Sequence, residues 1–287
     1  MGRERKIKVG GLNIRVHTQH IASEYVDLWT MLHRMRRPKI RGNNATMIGD
    51  LRKLNAQPDS PLYGYLYRFV DINPEDPWFD IEEHKKADAE DVAEVNIPAK
   101  LKPNLREYPY IFNVAKHRLY FKTGGHGGGV SPGVVHSLIE ELVSSARVKK
   151  RFNDVDVTTI TQKGAIEALL QWPEIRRIDV TLQRPNPSDF DDEKSFYERL
   201  NRRGLEKELN SFIKAKGVAS ITPDAEMKKM FGIAADNGIY RQVGINAQGE
   251  LKSASSQEYP MQEIENYDPD LQTEREAFQS LVLSKFK

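Results

Sequence analysis

The chain has 287 residues, no cysteine, and 43 Lys/Arg against 41 Asp/Glu, a formal net charge of +2. Its 39% hydrophobic and 29% charged residues are those of a globular protein of one large or two moderate domains. The missing cysteine excludes a disulfide scaffold, an iron–sulfur cluster, a cysteine-ligated zinc and a thiol nucleophile, and no apolar run approaches the ~20 residues of a membrane helix.

In chain order, Lys6-Ile7-Lys8-Val9 and Leu12-Asn13-Ile14-Arg15-Val16 alternate polar and apolar, the pattern of two half-buried strands separated by a bulge or turn at Gly10-Gly11. Ser23 is placed to cap a helix whose face is Tyr25, Val26, Leu28, Trp29, Leu32 and Met35, and Pro38 ends it. A second helical pattern covers 46–54, and 62–70 is aromatic-rich and predicts a strand. The acidic stretch 71–100 reads as a surface insertion with a helical piece. Strands at 110–114 and 119–121 flank the turn Ala115-Lys116-His117-Arg118, a hairpin. The glycine-rich segment 124–129 leads to Ser131-Pro132, a helix start with proline at its first position. Strands follow at 155–160 and 178–182 around a short helix at 165–170. Pro185-Asn186-Pro187 marks a boundary, beyond which lie a charged helical region at 190–216, a hairpin around Asn246-Ala247-Gln248-Gly249 and a terminal amphipathic helix at 271–286.

The predicted fold class is α+β, a mostly antiparallel sheet with helices packed on one face, plus a smaller helix-and-hairpin C-terminal part. The predicted domains are 1–185, carrying the acidic insertion at 71–100, and 186–287. The basic opening, 1–11, has no apolar segment of a signal peptide, and Lys6 stands where myristoylation wants serine or threonine. A cytoplasmic location without membrane contact is expected.

Among motifs, His126-Gly127-Gly128-Gly129 matches an esterase oxyanion loop, and Gly129-Val130-Ser131-Pro132-Gly133 matches a nucleophile elbow. Pro132 has no N–H to donate to an oxyanion, so Ser131 fits a helix cap better. The same loop lacks the last glycine of GxGxxG, which falls on Val130, and no GxxxxGK[ST] occurs. What remains is a glycine loop at a helix start, suited to a phosphate or to a mere connection. His17 and His20 are the only close histidines and belong to no ligand pattern, so no metal, no cofactor and no catalytic residue is expected. Glu83-His84-Lys85 and Asp192-Glu193-Lys194 resemble half of a metal-dependent nuclease site, a chance event in so charged a chain.

Charge is segregated: residues 1–54 carry 12 basic against 4 acidic groups (+8), and residues 71–100 carry 3 against 10 (−7). Three basic clusters stand out: Arg34, Arg36, Arg37, Lys39 and Arg41; Lys116, His117 and Arg118; and Arg147, Lys149, Lys150 and Arg151. Cations gathered at loops and helix ends suit phosphate-backbone contacts rather than base reading. The boxes Ile7-Lys8-Val9-Gly10-Gly11-Leu12-Asn13-Ile14, Pro77-Trp78-Phe79-Asp80, Lys116-His117-Arg118-Leu119 and Arg184-Pro185-Asn186-Pro187 together resemble a family of uncharacterised bacterial proteins, a domain of unknown function. The order of elements is also similar to that of phage-exclusion proteins of the RexA type, which implies a dimeric DNA-binding component of anti-phage defence.

The expectation is therefore a sequence-independent DNA-binding protein, a homodimer with a partner protein in a defence system, in which binding outranks catalysis. The alternatives are a metal-dependent nuclease, and a protein–protein adaptor docking through the helix at 271–286.

Overall fold

The computed structural model describes residues 4–18, 21–98, 100–183 and 191–286. His20 and the Arg184-Pro185-Asn186-Pro187 box lie outside them. The elements run β1 (Arg5–Val16), α1 (Ala22–Met35), β2 (Lys39–Arg41), β3 (Asn44–Ile48), β4 (Arg52–Lys53), β5 (Leu62–Val70), β6 (Phe79–Asp80), β7 (Lys85–Lys86), α2 (Ala89–Ala93), β8 (Arg106–Asn113) and β9 (Arg118–Gly125). They continue as α3 (Pro132–Val143), α4 (Ala146–Phe152), β10 (Val155–Thr159), α5 (Ala165–Leu169), β11 (Glu174–Gln183), α6 (Asp191–Arg203), β12 (Lys207–Ile213), α7 (Ala225–Asn237), β13 (Gly238–Ile245), β14 (Leu251–Ser255), β15 (Glu263–Tyr267) and α8 (Glu274–Lys285). The protein is α+β, and every strand pairing described is antiparallel.

The first sheet runs β10-β1-β9-β8-β5-β3-β2. β10 and β15 lie end to end along β1, on Leu12–Val16 and Arg5–Val9 respectively, while β9 pairs along its other side. One face is covered by α1, α3 and α4. Tyr25, Leu28, Trp29 and Leu32 of α1, at helical spacing, pack on Leu12, Ile14, Phe112 and Phe121. The Trp29 Nε1–H donates to the Tyr110 hydroxyl at 3.0 Å, which donates to the Asp50 carbonyl at 2.8 Å, so two buried aromatics keep their polar atoms satisfied. The other face carries Ile7, Val9, Ile111 and Tyr120, and Ala277, Phe278, Leu281 and Val282 of α8 close it. The terminal amphipathic helix thus packs on the body of the protein.

The second sheet runs β12-β11-β13-β14. Ile178, Val180 and Leu182 of β11 pack with Phe196 and Leu200 of α6 and Phe231 and Ala234 of α7. On the opposite face Leu209, Ile213 and Leu251 are exposed. Sheet membership crosses the division at residue 185 in both directions. β11 pairs with strands beyond it, and β15 and α8 return to the first sheet and its core.

Several local expectations need correction. Gly10-Gly11 does not separate a pair of strands; β1 is continuous, with a register irregularity at Lys8/Val9. A side chain at Gly11 would press within 3.0 Å of Ile160, so the glycine serves close packing of layers. Residues 46–54 hold strands instead of a helix, because Thr46 and Ile48 pair with β5 and the sheet overrides a weak helical pattern. Within 190–216, the helix ends at Arg203, Gly204 turns at φ +65°, and β12 follows. α1 starts after Ile21 with no side-chain cap, leaving Ser23 inside its first turn. Elements beyond the sequence reading include β2 and α4, which carry the basic runs, as well as β15 and α7, the last capped by the Asp224 carboxylate on the Met227 N–H at 2.8 Å.

The two sheets meet at the C-terminal end of α7, whose last carbonyls have no partner inside the helix. The Ala235 carbonyl accepts from Thr161 N–H at 2.9 Å, and the Asp236 carbonyl accepts from Thr158 Oγ1 at 3.4 Å and Asn13 Nδ2 at 3.5 Å. Asn13 also donates to Asn237 Oδ1 at 2.6 Å, and Arg118 pairs with Asp236 at 3.1 Å. Beside this joint the His17 ring lies between two carboxylates, Asp156 at 2.9 Å and Glu206 at 2.8 Å. The Asp156 hydrogen bond, helped by the charges of Asp156 and Glu206, holds His17 above its ordinary value against burial and Arg15.

Because the folded value is raised, this contact stabilises the fold fully below the unfolded value of about 6.5 and fades as pH rises through the folded one. The melting temperature of the wild type relative to His17→Gln should therefore be highest near pH 5.5 and fall at alkaline pH. A difference independent of pH would contradict this.

Candidate functional site

Two of the three basic clusters form one corner. α1 ends at Met35, where the end of α3 and the start of α4 meet it, and α4 runs back along α1 to Asp27. The Ser145 hydroxyl lies 4.0 Å from Met35 Sδ, Lys39 pairs with Glu141 at 2.8 Å, and Arg151 pairs with Asp27 on α1. The corner carries Arg34, Arg36, Arg37, Lys39, Arg41, Arg147, Lys149, Lys150 and Arg151. Three of these nine are neutralised, Lys39 and Arg151 as above and Lys149 by Asp154 at 3.5 Å, which leaves six without an ion pair among the described residues. Arg34, Arg36, Arg37, Arg41, Arg147 and Lys150 supply that free charge. Arg36 adopts φ 50°, ψ 34° at the end of α1, a left-handed position where glycine is usual, so an arginine is kept there at a backbone cost.

The third cluster does not join them. The turn of Lys116, His117 and Arg118 sits on β9, four strands from β2, or about 19 Å across the sheet. His117 is 3% exposed and stacks on Tyr25 with ring centroids 3.7 Å apart. It occupies the tip at φ +58°, which turns the ring inward against α1. Arg118 is committed to Asp236 at the inter-sheet joint. His117 and Arg118 are thus structural, and among the described residues only Lys116 keeps a free charge at that tip. Residue type showed the cations, but not which of them the tertiary fold consumes.

The glycine-rich loop is not a loose connection but is pinned by hydrogen bonds to β1 and to Lys122. Lys122, 1% exposed, donates to the His126 carbonyl at 2.6 Å and pairs with Glu274 of α8 at 2.7 Å. The His126 N–H is bonded to the Lys6 carbonyl at 2.8 Å and the Val130 N–H to the Lys122 carbonyl at 3.1 Å. A side chain at Gly125 would come within 2.1 Å of the Lys6 carbonyl oxygen. Ser131 occupies the N-cap position of α3 without a capping side-chain bond, and nothing among the described residues activates it as a nucleophile.

His17, Asp156 and Glu206 are the trio among the described residues whose ligand atoms lie within 4.8 Å of one another, a grouping invisible in the sequence. Both ring nitrogens already face a carboxylate, and the Arg15 guanidinium stands 3.8 Å from Glu206. The two acids thus close on different ring nitrogens instead of converging with one free nitrogen on a common point, so the trio does not fit a metal centre. Lys85 of the acidic insertion pairs with Glu83 at 2.6 Å and Asp88 at 3.2 Å, an ion-paired surface turn. The side chains of Asp192, Glu193 and Lys194 lie outside the described residues.

Because Lys122 is buried with its charge matched by Glu274, Glu274→Gln leaves a buried cation without its counter-charge and should lower stability by about 3 kcal/mol in urea unfolding. Lys122→Met, which removes the buried charge itself and leaves behind only the partly exposed Glu274, should cost less; equal or negligible losses would contradict the buried-pair account.

Among the described residues no helix is long and apolar enough to cross a membrane. No curated protein matches the chain. A family model described as a domain of unknown function (DUF4747) matches residues 5–283, nearly the whole length, and the chain belongs to that family.

Proposed function

We propose that the protein binds nucleic acid, DNA in the first place, through phosphate contacts made by the corner where α1, β2 and α4 meet. The observation that supports this is the gathering of Arg34, Arg36, Arg37, Arg41, Arg147 and Lys150, six cations without an ion pair among the described residues, from two segments a hundred residues apart. A polyanion neutralises such a group and releases its own counterions, which favours binding at low salt. The cations stand at helix ends, on the short α4 and in a tight turn. Contacts of this kind position a duplex without reading its sequence. The setting proposed is phage exclusion, carried from the resemblance of the sequence to phage-exclusion proteins of the RexA type.

Binding of a generic duplex should weaken with salt. Replacing Arg36, Arg37, Arg41 and Lys150 by alanine should reduce the slope by about 0.9 for each phosphate no longer neutralised, equally across sequences. Lys116→Ala, away from the corner, should leave the slope unchanged. Absence of binding at low salt, or a slope untouched by the four substitutions, overturns the proposal. Arg36→Gly separates function from stability. It should raise stability by about 1 kcal/mol through relief of the left-handed backbone while weakening DNA binding.

A further inference from the structure

Between the two sheets runs a cleft of about 780 Å³ that the corner does not use. Its walls are one face of α7 (Lys228, Phe231, Gly232), the short α5 and the loop before it, β9, and the start of β15. This volume falls within the range of about 300–1,000 Å³ of small-molecule sites, which favour such junctions.

The lining is divided by chemistry. Ile160, Ile166, Leu170, Phe231, Met261 and Phe286 give it an apolar wall, and Phe286 stacks on Tyr120 with centroids 4.4 Å apart, so flat ring surface borders the space. Of the charged groups, Arg118 and Asp236 neutralise each other, and Glu263 is taken by Lys285 at 3.2 Å. Lys163, Lys228 and Glu167 remain, none of them in an ion pair among the described residues, which leaves two cations against one carboxylate at the mouth. The space is also kept open. A side chain at Gly232, in the middle of α7, would meet no atom within 4 Å. Glycine inside a helix costs about 1 kcal/mol relative to alanine, and packing does not demand it at Gly232.

We propose that this cleft is a binding site for one small molecule that joins a flat aromatic ring to an anionic group, a nucleotide-sized ligand distinct from the nucleic acid at the basic corner. The ring lies against Phe231, Met261 and Ile160, and the anion meets Lys163 and Lys228. A ligand seated there touches both sheets.

Two fluorescent probes that differ by one sulfonate test it: 8-anilinonaphthalene-1-sulfonate and its neutral parent N-phenyl-1-naphthylamine, titrated into the full chain. Both should bind saturably with about one site. Gly232→Trp, which fills the cleft from a position with free space, should weaken both at least tenfold while the melting temperature is kept. Lys163→Glu with Lys228→Glu should weaken the sulfonate at least tenfold and leave the neutral probe within twofold. Absence of saturable binding, or unchanged binding to folded Gly232→Trp, overturns the site. Equal loss of both probes in the lysine variant overturns the anionic half of the proposal. Duplex binding measured on the same variants distinguishes the two proposals, because neither substitution touches the corner.

Discussion

The end of α7 is the constraint on which the arrangement of the two sheets depends. A helix that stops inside a protein leaves carbonyls that must find donors or lose hydrogen bonds on burial. Here the donors come from the other sheet: the Thr161 backbone, the Thr158 hydroxyl and the Asn13 amide. The partial negative charge of the helix end is further matched by the Arg118 guanidinium, held through Asp236. The junction is therefore directional and polar, and the two sheets cannot slide across it without orphaning several groups together.

That junction explains the composition of β1. Its odd positions begin apolar, with Ile7 and Val9 under α8, and end polar, with Asn13 (4% exposed) and Arg15 (3% exposed) under the second sheet. Its even positions do the reverse: Lys8 is partly exposed, while Leu12, Ile14 and Val16 lie in the α1 core. In sequence, the apolar set therefore changes parity at Gly10-Gly11, and period-two logic reads a break. The physical strand has no break; its covering partner changes. The antiparallel sheet, the hairpin at 116–118 and the helix starting at Pro132 were legible because each follows from local pattern. α7 and β15 were not, since their burial depends on contacts with segments distant in sequence.

The candidate site shows the same division. Clusters 34–41 and 147–151 are contiguous runs, so their charge is visible in the sequence. Their meeting depends on α3, whose end brings Glu141 to Lys39 and Ser145 to Met35. The turn at 116–118 looks equally basic in sequence, yet Tyr25 takes His117 and Asp236 takes Arg118. A cation counts towards a polyanion site only where the fold leaves its charge unspent. The acidic stretch 71–100 spends only part of its charge: Asp71 pairs with Lys102 and Lys85 with Glu83 and Asp88, and α2 buries no residue.

The joint and the cleft share residues, and this links them physically. Arg118, Thr161, Ala235 and Asp236 hold the sheets together and also line the cleft. A side chain entering the space from Gly232 meets no atom within 4 Å, so it would occupy the cleft without displacing the hydrogen bonds of this interface. The basic corner lies wholly on the first sheet and its helices, so its charge does not depend on how the second sheet is held. Two surfaces with separate supports can be altered one at a time, and the joint at α7 is the structural route by which occupancy of the cleft would bear on the first sheet.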